Sequence, residues 1–296
     1  MNRYIRFDWA AKNMLRNKAD FVIFEGLISA LVGQEMKIVE LLESESNQED
    51  KDDKYNRVDI KAKNRQGEII LVEIQQSREL DYLQRMLYGV AKAITEHMRV
   101  GRHYADVKKV YSINILYFNI GEGTDYLYHG QMKFLAVHRS DEELKLTRHE
   151  REDLNMVEPK EVFPEYYIIR VNEFDQLAVT PLEEWMQYLK DEYIRPDTTV
   201  PGLKEARERL EFLRMPEAER RKYEHYLDTM VRDTDVMRTK LLEARIEGKK
   251  EGRAEGRAEG RAETNLNNAR KMKAKGFDIA DISDITGLSP DEIAVL

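Results

Sequence analysis

The sequence lacks several features that would have indicated particular classes of protein. It contains no cysteine among 296 residues, which excludes disulfide bonds, cysteine-ligated zinc sites and a thiol nucleophile. It has no apolar run close to the roughly 20 residues of a membrane-spanning helix. Its first residues, MNRYIR, lack the apolar stretch of a signal peptide. We therefore expect a cytoplasmic protein that has no membrane partner.

Charge is abundant but unevenly distributed. Charged residues make up 35% of the chain, and the net charge is −8. This negative charge argues against a protein that coats nucleic acid along its length. Residues 245–275 contain ten Lys or Arg and five Glu, a local charge of +5, so the remainder carries −13. This acidic body would repel DNA except where a metal ion or local basic side chains offset its charge.

Hydrophobic periodicity predicts an α/β protein with a mixed sheet. Apolar residues at helical spacing predict helices over 19–32, ended by Gly33, and over 78–99, ended by Gly101. The order of strand, long helix and strand predicts a right-handed crossover within the sheet, with strand 107–118 at its centre. The other predicted strands cover 36–42, 57–63, 69–75, 126–137 and 166–171, and residues 43–54 form an acidic loop.

Composition changes near residue 180. Pro181, Pro201 and Pro216 each precede a helical pattern, which is typical of proline at the start of a helix. We expect four segments: a core over 1–180, a helical extension over 181–247, a Glu-Gly repeat over 248–264 and a small C-terminal element over 265–296.

Two acids on neighbouring predicted strands form the candidate site. Glu73 and Gln75 share one face of their strand because side chains alternate, and Asp59 lies on the preceding strand. Two carboxylates and an amide are ligands that Mg²⁺ accepts, and such a metal can activate water against a phosphodiester. The alternative is that this face meets solvent, although Ile69 and Leu71 share it.

The register of this hairpin decides whether the acids meet. A two-residue turn at Arg65-Gln66 would place Asp59 opposite Val72, on the wrong face. Asp59 joins Glu73 only if the pairing shifts by one residue, through an odd-length loop or a bulge. We predict that shift.

Asp59 and the Glu73-x-Gln75 motif, with segments 17–31, 56–59 and 79–83, resemble the PD-(D/E)xK nuclease superfamily. More closely, residues 3–175 and the Glu-Gly tail are similar to the Rpn family of recombination-promoting nucleases and putative transposases. The resemblance implies a restriction-endonuclease-like mixed sheet flanked by helices, with Mg²⁺ (or Mn²⁺) held by Asp59 and Glu73. Glu25 matches an assisting acid on the first helix, and Gln84 and Tyr88 could face the site.

One residue departs from the superfamily pattern. Gln75 stands where the superfamily has lysine, and it offers hydrogen bonds but no positive charge. Basic residues for phosphate contacts are Lys61, Lys63, Arg78 and Arg85, each of which could equally be an ordinary surface charge.

The C-terminal tail allows several interpretations. The Glu-Gly repeat can be interpreted as a spacer helix, a dimerising helix or a solvated tether. We favour the tether because each glycine destabilises a helix by about 1 kcal/mol relative to alanine. Residues 269–296 resemble the start of a helix-turn-helix, with a capping box at Ser289 and Glu292. Because this element is acidic, we favour a role in packing or oligomerisation.

The function expected from the sequence is a Mg²⁺-dependent DNA endonuclease linked to DNA recombination or mobile elements. One alternative is a degenerate nuclease fold that binds nucleic acid without cutting it. Another is an interaction protein that forms a homo-oligomer through its C-terminal helical tail.

Overall fold

The computed structural model describes residues 4–13, 18–42, 59–98, 103–154 and 158–296. The predicted acidic loop over 43–54, the Gly101 helix end and residues 56–58 lie outside these ranges. By its internal contacts the chain forms two compact units, residues 1–220 and 221–296.

The first unit contains a six-stranded mixed sheet, which confirms the predicted architecture. The strands of the described residues are β1 Ile38–Leu42, β2 Ile60–Asn64, β3 Ile69–Gln75, β4 Val110–Leu116, β5 Leu127–Gly130, β6 Leu135–Ala136, β7 Arg139–Glu143 and β8 Glu165–Arg170. The order in the six-stranded sheet is β1-β2-β3-β4-β8-β5. The β1, β2 and β3 strands pair antiparallel, β3, β4 and β8 pair parallel, and β5 is antiparallel to β8. A separate hairpin joins β6 and β7.

Two strand predictions illustrate where hydrophobic pattern is informative. Strand β4 lies at the centre as expected, and all seven of its residues are buried. The single strand predicted over 126–137 is wrong, since β5 and β6 belong to different sheets. The residues between them are exposed, so no buried face holds that segment in one strand.

The helices of the described residues are α1 Phe7–Asn13, α2 Phe21–Val32, α3 Tyr82–His97, α4 Arg148–Leu154, α5 Pro181–Asp191, α6 Leu203–Arg209, α7 Glu217–Ala274, α8 Ile279–Thr286 and α9 Pro290–Ala294. Two of them begin or end at the residues that the sequence predicts. Gly33 ends α2 in the left-handed conformation with φ of 77°, and Thr180 and Glu183 form a capping box in front of Pro181.

Helix α3 connects β3 to β4 and covers the sheet face on which the candidate acids lie. Ile69 and Leu71 of β3 pack with Val90 and Ala93 of α3 in one buried cluster. A second cluster joins Tyr82 and Met86 of α3 to Leu116 of β4. This face is therefore part of the core, because burial of apolar side chains between helix and sheet stabilises their packing.

Helices α1, α2 and α5 meet in an aromatic cluster. Phe7 makes edge-on contacts with Phe24, Trp185 and Tyr188, with ring centroids 5.7–6.2 Å apart. This geometry is favoured by the quadrupoles of aromatic rings. The cluster fixes the short helix α1 to the rest of the first unit.

The second unit corrects our preferred interpretation of the repeat. Helix α7 runs without interruption through the Glu-Gly segment, so the solvated tether is wrong. The C-terminal element has the predicted capping box at Ser289, and Ala269, Ile282 and Ile293 form its small core. In the parts of the chain that the structure describes, no helix is both long and apolar enough to cross a membrane.

Candidate functional site

The β2–β3 hairpin has the register that brings the two acids together. Ile60 pairs with Val72 and Lys63 pairs with Ile69, so one further step in the same alignment places Asp59 opposite Glu73. The loop that produces this register is odd in length: Asn64 bonds to Glu68, and Arg65 to Gly67 form the turn. Gly67 adopts φ of 80°, which glycine tolerates best. The predicted one-residue shift is confirmed.

Asp59 is held by one backbone group and one cation. Its Oδ2 atom accepts a hydrogen bond from the Ile74 backbone N–H at 2.7 Å. Its Oδ1 atom lies 2.9 Å from Nζ of Lys12 on α1. The Asp59 side chain therefore bonds to the end of β3, where the backbone of β2 would bond if that strand continued. The Ile74 N–H and the Lys12 ammonium group fix its position from two sides.

Glu73 is buried at the same edge, with only 6% of its surface exposed. The alternative in which this carboxylate faces solvent is therefore wrong. Its Oε1 atom lies 2.5 Å from Nη2 of Arg85 on α3. Burial raises the pKa of Glu73 to about 7; nearby Arg85 lowers it, whereas the negative charges of Asp59 and Glu79 raise it. Asp59 is therefore close enough to contribute to the raised pKa of Glu73.

Gln75 continues the site along β3. Its Nε2 atom donates to Oε1 of Glu79 at 2.8 Å. Arg85 donates from Nη1 to both oxygens of Glu79, at 2.8 and 2.9 Å. Arg85 therefore bridges Glu73 and Glu79, and Glu79 orients the amide of Gln75.

Helix α1 also contacts the residue that follows β3. Nε2 of Gln76 donates to Oδ2 of Asp8 at 2.7 Å, and Asp8 is almost fully buried. The other carboxylate oxygen of Asp8 accepts from the Trp9 backbone N–H and from Nε of Arg6. These bonds fix the start of α1 beside the end of β3, and so position Lys12 near Asp59.

Other predicted site residues lie apart from these contacts. Glu25 on α2 accepts hydrogen bonds from Nζ of Lys37 at 3.0 Å and from the Ile38 backbone N–H at 2.9 Å. It thus ties α2 to the start of β1. Gln84 is exposed on α3, and Tyr88 is partly buried.

The expected phosphate-contacting residues divide into two groups. Lys61 is buried and pairs with Glu96 at 2.5 Å, so the interpretation of Lys61 as a surface charge is wrong. Arg85 belongs to the acid site itself. Arg78 is exposed and Lys63 partly buried, and these two remain candidates for DNA contact.

The sequence did not predict that three further residues lie at this site: Lys12, Glu79 and Asp8. The pattern predicts no helix before residue 19, so nothing pointed to α1. For Glu79 a signal was present, since it follows Gln75 by four positions at the end of a predicted strand.

The donors at this edge fit a hard divalent cation. Asp59, Glu73 and Gln75 all offer oxygen, and Mg²⁺ commonly takes one or two carboxylates with water and phosphate. Within the described ranges no group of three or more acidic, His or Cys side chains is placed to hold a metal ion. A site here would therefore rest on two acids and an amide, and a phosphate or water would complete it.

The chain belongs to the PD-(D/E)XK nuclease family transposases, whose family model matches residues 5–238. This match covers well over half of the chain, including both acids, and confirms the resemblance and fold expected from the sequence. No curated protein and no solved structure gives a significant match.

Proposed function

We propose that this protein is a metal-dependent DNA endonuclease linked to recombination or mobile elements. The observation that carries the proposal is the alignment of Asp59 with Glu73 at the edge of the mixed sheet. The electrostatic effect of Asp59 on the pKa of Glu73 is consistent with their closeness. Family membership supports nuclease chemistry and DNA as the substrate.

The acids would hold the cation, which we propose to be Mg²⁺ or Mn²⁺. When bound, such an ion supplies Lewis acidity and a water of lowered pKa. Asp59 is already oriented by the Ile74 backbone, so its position does not depend on the ion. Arg85 pairs with both Glu73 and Glu79 and offsets part of their negative charge, which keeps the buried Glu73 compatible with the fold.

Gln75 and Lys12 together take over the role of the superfamily lysine. Gln75 is held by Glu79 and presents its amide at the site. Lys12 provides the positive charge, since its side chain is 48% exposed and its ammonium group lies beside Asp59. A cation placed there can stabilise the negative charge that develops on a phosphate during hydrolysis.

The decisive experiment is nicking of supercoiled plasmid in Mg²⁺ or Mn²⁺. Asp59→Asn and Glu73→Gln should each lower the rate by at least about a hundredfold, as expected when charge stabilisation at the reacting centre is removed. Asp175→Asn is the control because this exposed acid lies outside the site.

Binding measurements separate cutting from DNA recognition. Mn²⁺ binding followed by electron paramagnetic resonance should weaken in Asp59→Asn, whereas DNA retention in a gel-shift assay should persist. Wild-type protein that retains DNA but never nicks it would favour the degenerate, binding-only alternative. Nicking that survives Asp59→Asn would refute the site.

A further inference from the structure

Each of the two candidate metal ligands is paired with a positively charged side chain. Nζ of Lys12, on α1, lies 2.9 Å from Oδ1 of Asp59. Nη2 of Arg85, on α3, lies 2.5 Å from Oε1 of Glu73. A divalent ion held by these carboxylates would lie close to both side-chain cations, and like charges repel more strongly near a protein interior than in water. The ion and the two cations therefore compete for the same pair of acids.

The contacts of Asp59 show which of its partners gives way. Its Oδ2 atom accepts a hydrogen bond from the backbone N–H of Ile74, a buried residue, and a buried N–H that loses its acceptor is costly. The Lys12 side chain is instead 48% exposed, and exposed ion pairs contribute little to stability. Asp59 can therefore release Lys12 at small cost and keep its bond to Ile74.

Arg85 can release Glu73 without leaving the site. Its Nη1 atom donates to both carboxylate oxygens of Glu79, at 2.8 and 2.9 Å, whereas Nη2 makes the contact with Glu73. Because different nitrogen atoms make the two contacts, the bond to Glu79 does not require the contact with Glu73. The guanidinium group has five N–H donors, so it can remain on Glu79 and bind a second anion.

The balance of charge at the site indicates which anion these cations would meet. Three acids lie here, Asp59, Glu73 and Glu79, and in their charged forms they outnumber the two cations by one. A divalent ion would reverse the sign of this net charge, so that the site attracts an anion. Ammonium and guanidinium groups both bind phosphate, and each phosphate of a DNA backbone carries one negative charge.

We propose that Lys12 and Arg85 exchange the two acids for a DNA phosphate, and so couple binding of the divalent ion to binding of DNA. The inference rests on the proposed function, since Asp59 and Glu73 are taken as the ligands of the ion. Without DNA, the two cations hold the acids and weaken binding of the ion. A phosphate draws the cations away, and by reciprocity the ion strengthens binding of DNA by the same factor.

The test measures the affinity of the full-length protein for a short fluorescent DNA duplex by anisotropy, with and without Ca²⁺ at constant ionic strength. Ca²⁺ is the probe because it takes oxygen ligands, and a gel verifies that the duplex stays intact. The ratio of the two dissociation constants is the coupling factor. We expect a factor of about ten or more for the wild type. We expect Lys12→Met to lower it at least about fivefold, and Lys12→Arg to retain it.

The coupling factor separates an exchanging cation from a fixed one. A fixed Lys12 would repel Ca²⁺ and attract DNA independently, so its loss would change each affinity and leave their coupling unchanged. Direct contact between the ion and a phosphate would contribute equally in both proteins. Arg78→Met is the matched control, because this exposed cation follows β3. It should weaken DNA binding equally with and without Ca²⁺.

Arg85→Gln should lower the coupling factor as well. The buried Glu73 loses its partner in this variant, so a cooperative thermal unfolding curve must first show that it folds. Lys12→Met decides the question by itself if Arg85→Gln does not fold, since the Lys12 side chain is half exposed.

Two results would overturn the proposal in different ways. An equal coupling factor in Lys12→Met and wild type, with plasmid nicking that still depends on Asp59, would refute the exchange and leave the proposed function intact. Absence of Ca²⁺ binding by calorimetry, with and without DNA, would refute both the exchange and the metal site.

Discussion

Lys12 and Asp59 form an ion pair, with Nζ 2.9 Å from Oδ1, across 46 intervening residues of sequence. The pair joins the first helix to the end of the sheet where Asp59 and Glu73 lie. It supplies a positive charge at a site where position 75, a lysine in the superfamily, is glutamine. We propose that Lys12, on α1, provides the positive charge that the superfamily lysine would provide from β3.

Lys12→Met should lower the plasmid-nicking rate about tenfold or more, because the charge opposite the developing phosphate anion is lost. Stability should change by less than about 1 kcal/mol, since exposed ion pairs contribute little. Lys18→Met, at another exposed lysine of the same N-terminal region, serves as the control. Equal rates for the Lys12→Met protein and the wild type would remove Lys12 from the mechanism.

Gln75→Lys should restore nicking to the Lys12→Met protein. The new ammonium group would lie beside Glu79, which already accepts the Gln75 amide, and would return positive charge to the site. A double-mutant cycle on nicking rates measures the coupling between positions 12 and 75. Additive effects in that cycle would mean that the two positions act independently.

Gly26→Ala should destabilise the first unit by about 1–3 kcal/mol. The added Cβ would lie 2.2 Å from the backbone oxygen of Pro201, a contact that side-chain rotation cannot relieve. Gly130→Ala is the matched control, since its Cβ would lie 3.6 Å from Tyr166. Urea denaturation compares the stability of the two variants directly. Equal midpoints would contradict the close contact between Gly26 of α2 and the Pro201 backbone.

Glu165 should make folding stability depend on pH in the acidic range. Burial alone would raise the pKa of Glu165, but hydrogen bonds from Lys109, Tyr167 and His129 outweigh it and hold the pKa below 4.5. A lowered pKa in the folded state adds stability above pH 4.5, and this contribution is lost as pH falls through the folded-state value.

Glu165→Gln should therefore be less stable than the wild type at pH 7, and the difference should shrink below pH 4.5. The substitution removes the charge of the buried partner of Lys109, so we expect the free energy of unfolding at pH 7 to fall by roughly 1–3 kcal/mol. Glu122→Gln, at an exposed position, is the control. A difference that stays constant from pH 7 to pH 3 would show that the charge of Glu165 contributes nothing.

Much of the candidate site could be predicted because it depends on near neighbours in sequence. Alternation along β3 places Glu73 and Gln75 on one face, and Gly67 closes the odd-length turn that sets Asp59 in line. Glu79 and Lys12 were not assigned to the site, and Arg85 was expected only as a phosphate contact or a surface charge, because their roles depend on how α1 and α3 pack on the sheet. Glu25 is the opposite case. Its expected role at the site came from the family resemblance, whereas its hydrogen bonds in the structure connect α2 to the start of β1.

The sequence by itself determined the hairpin, its register, the long helix α3 and the capped C-terminal helices, since turn chemistry and hydrophobic period act over a few residues. Only the tertiary structure decided which cations meet the acids and that Glu73 is buried, because these contacts require helices distant in sequence to pack against one sheet edge. The structure also shows that the Glu-Gly repeat is helical, although glycine disfavours a helix and no residue of the repeat is buried.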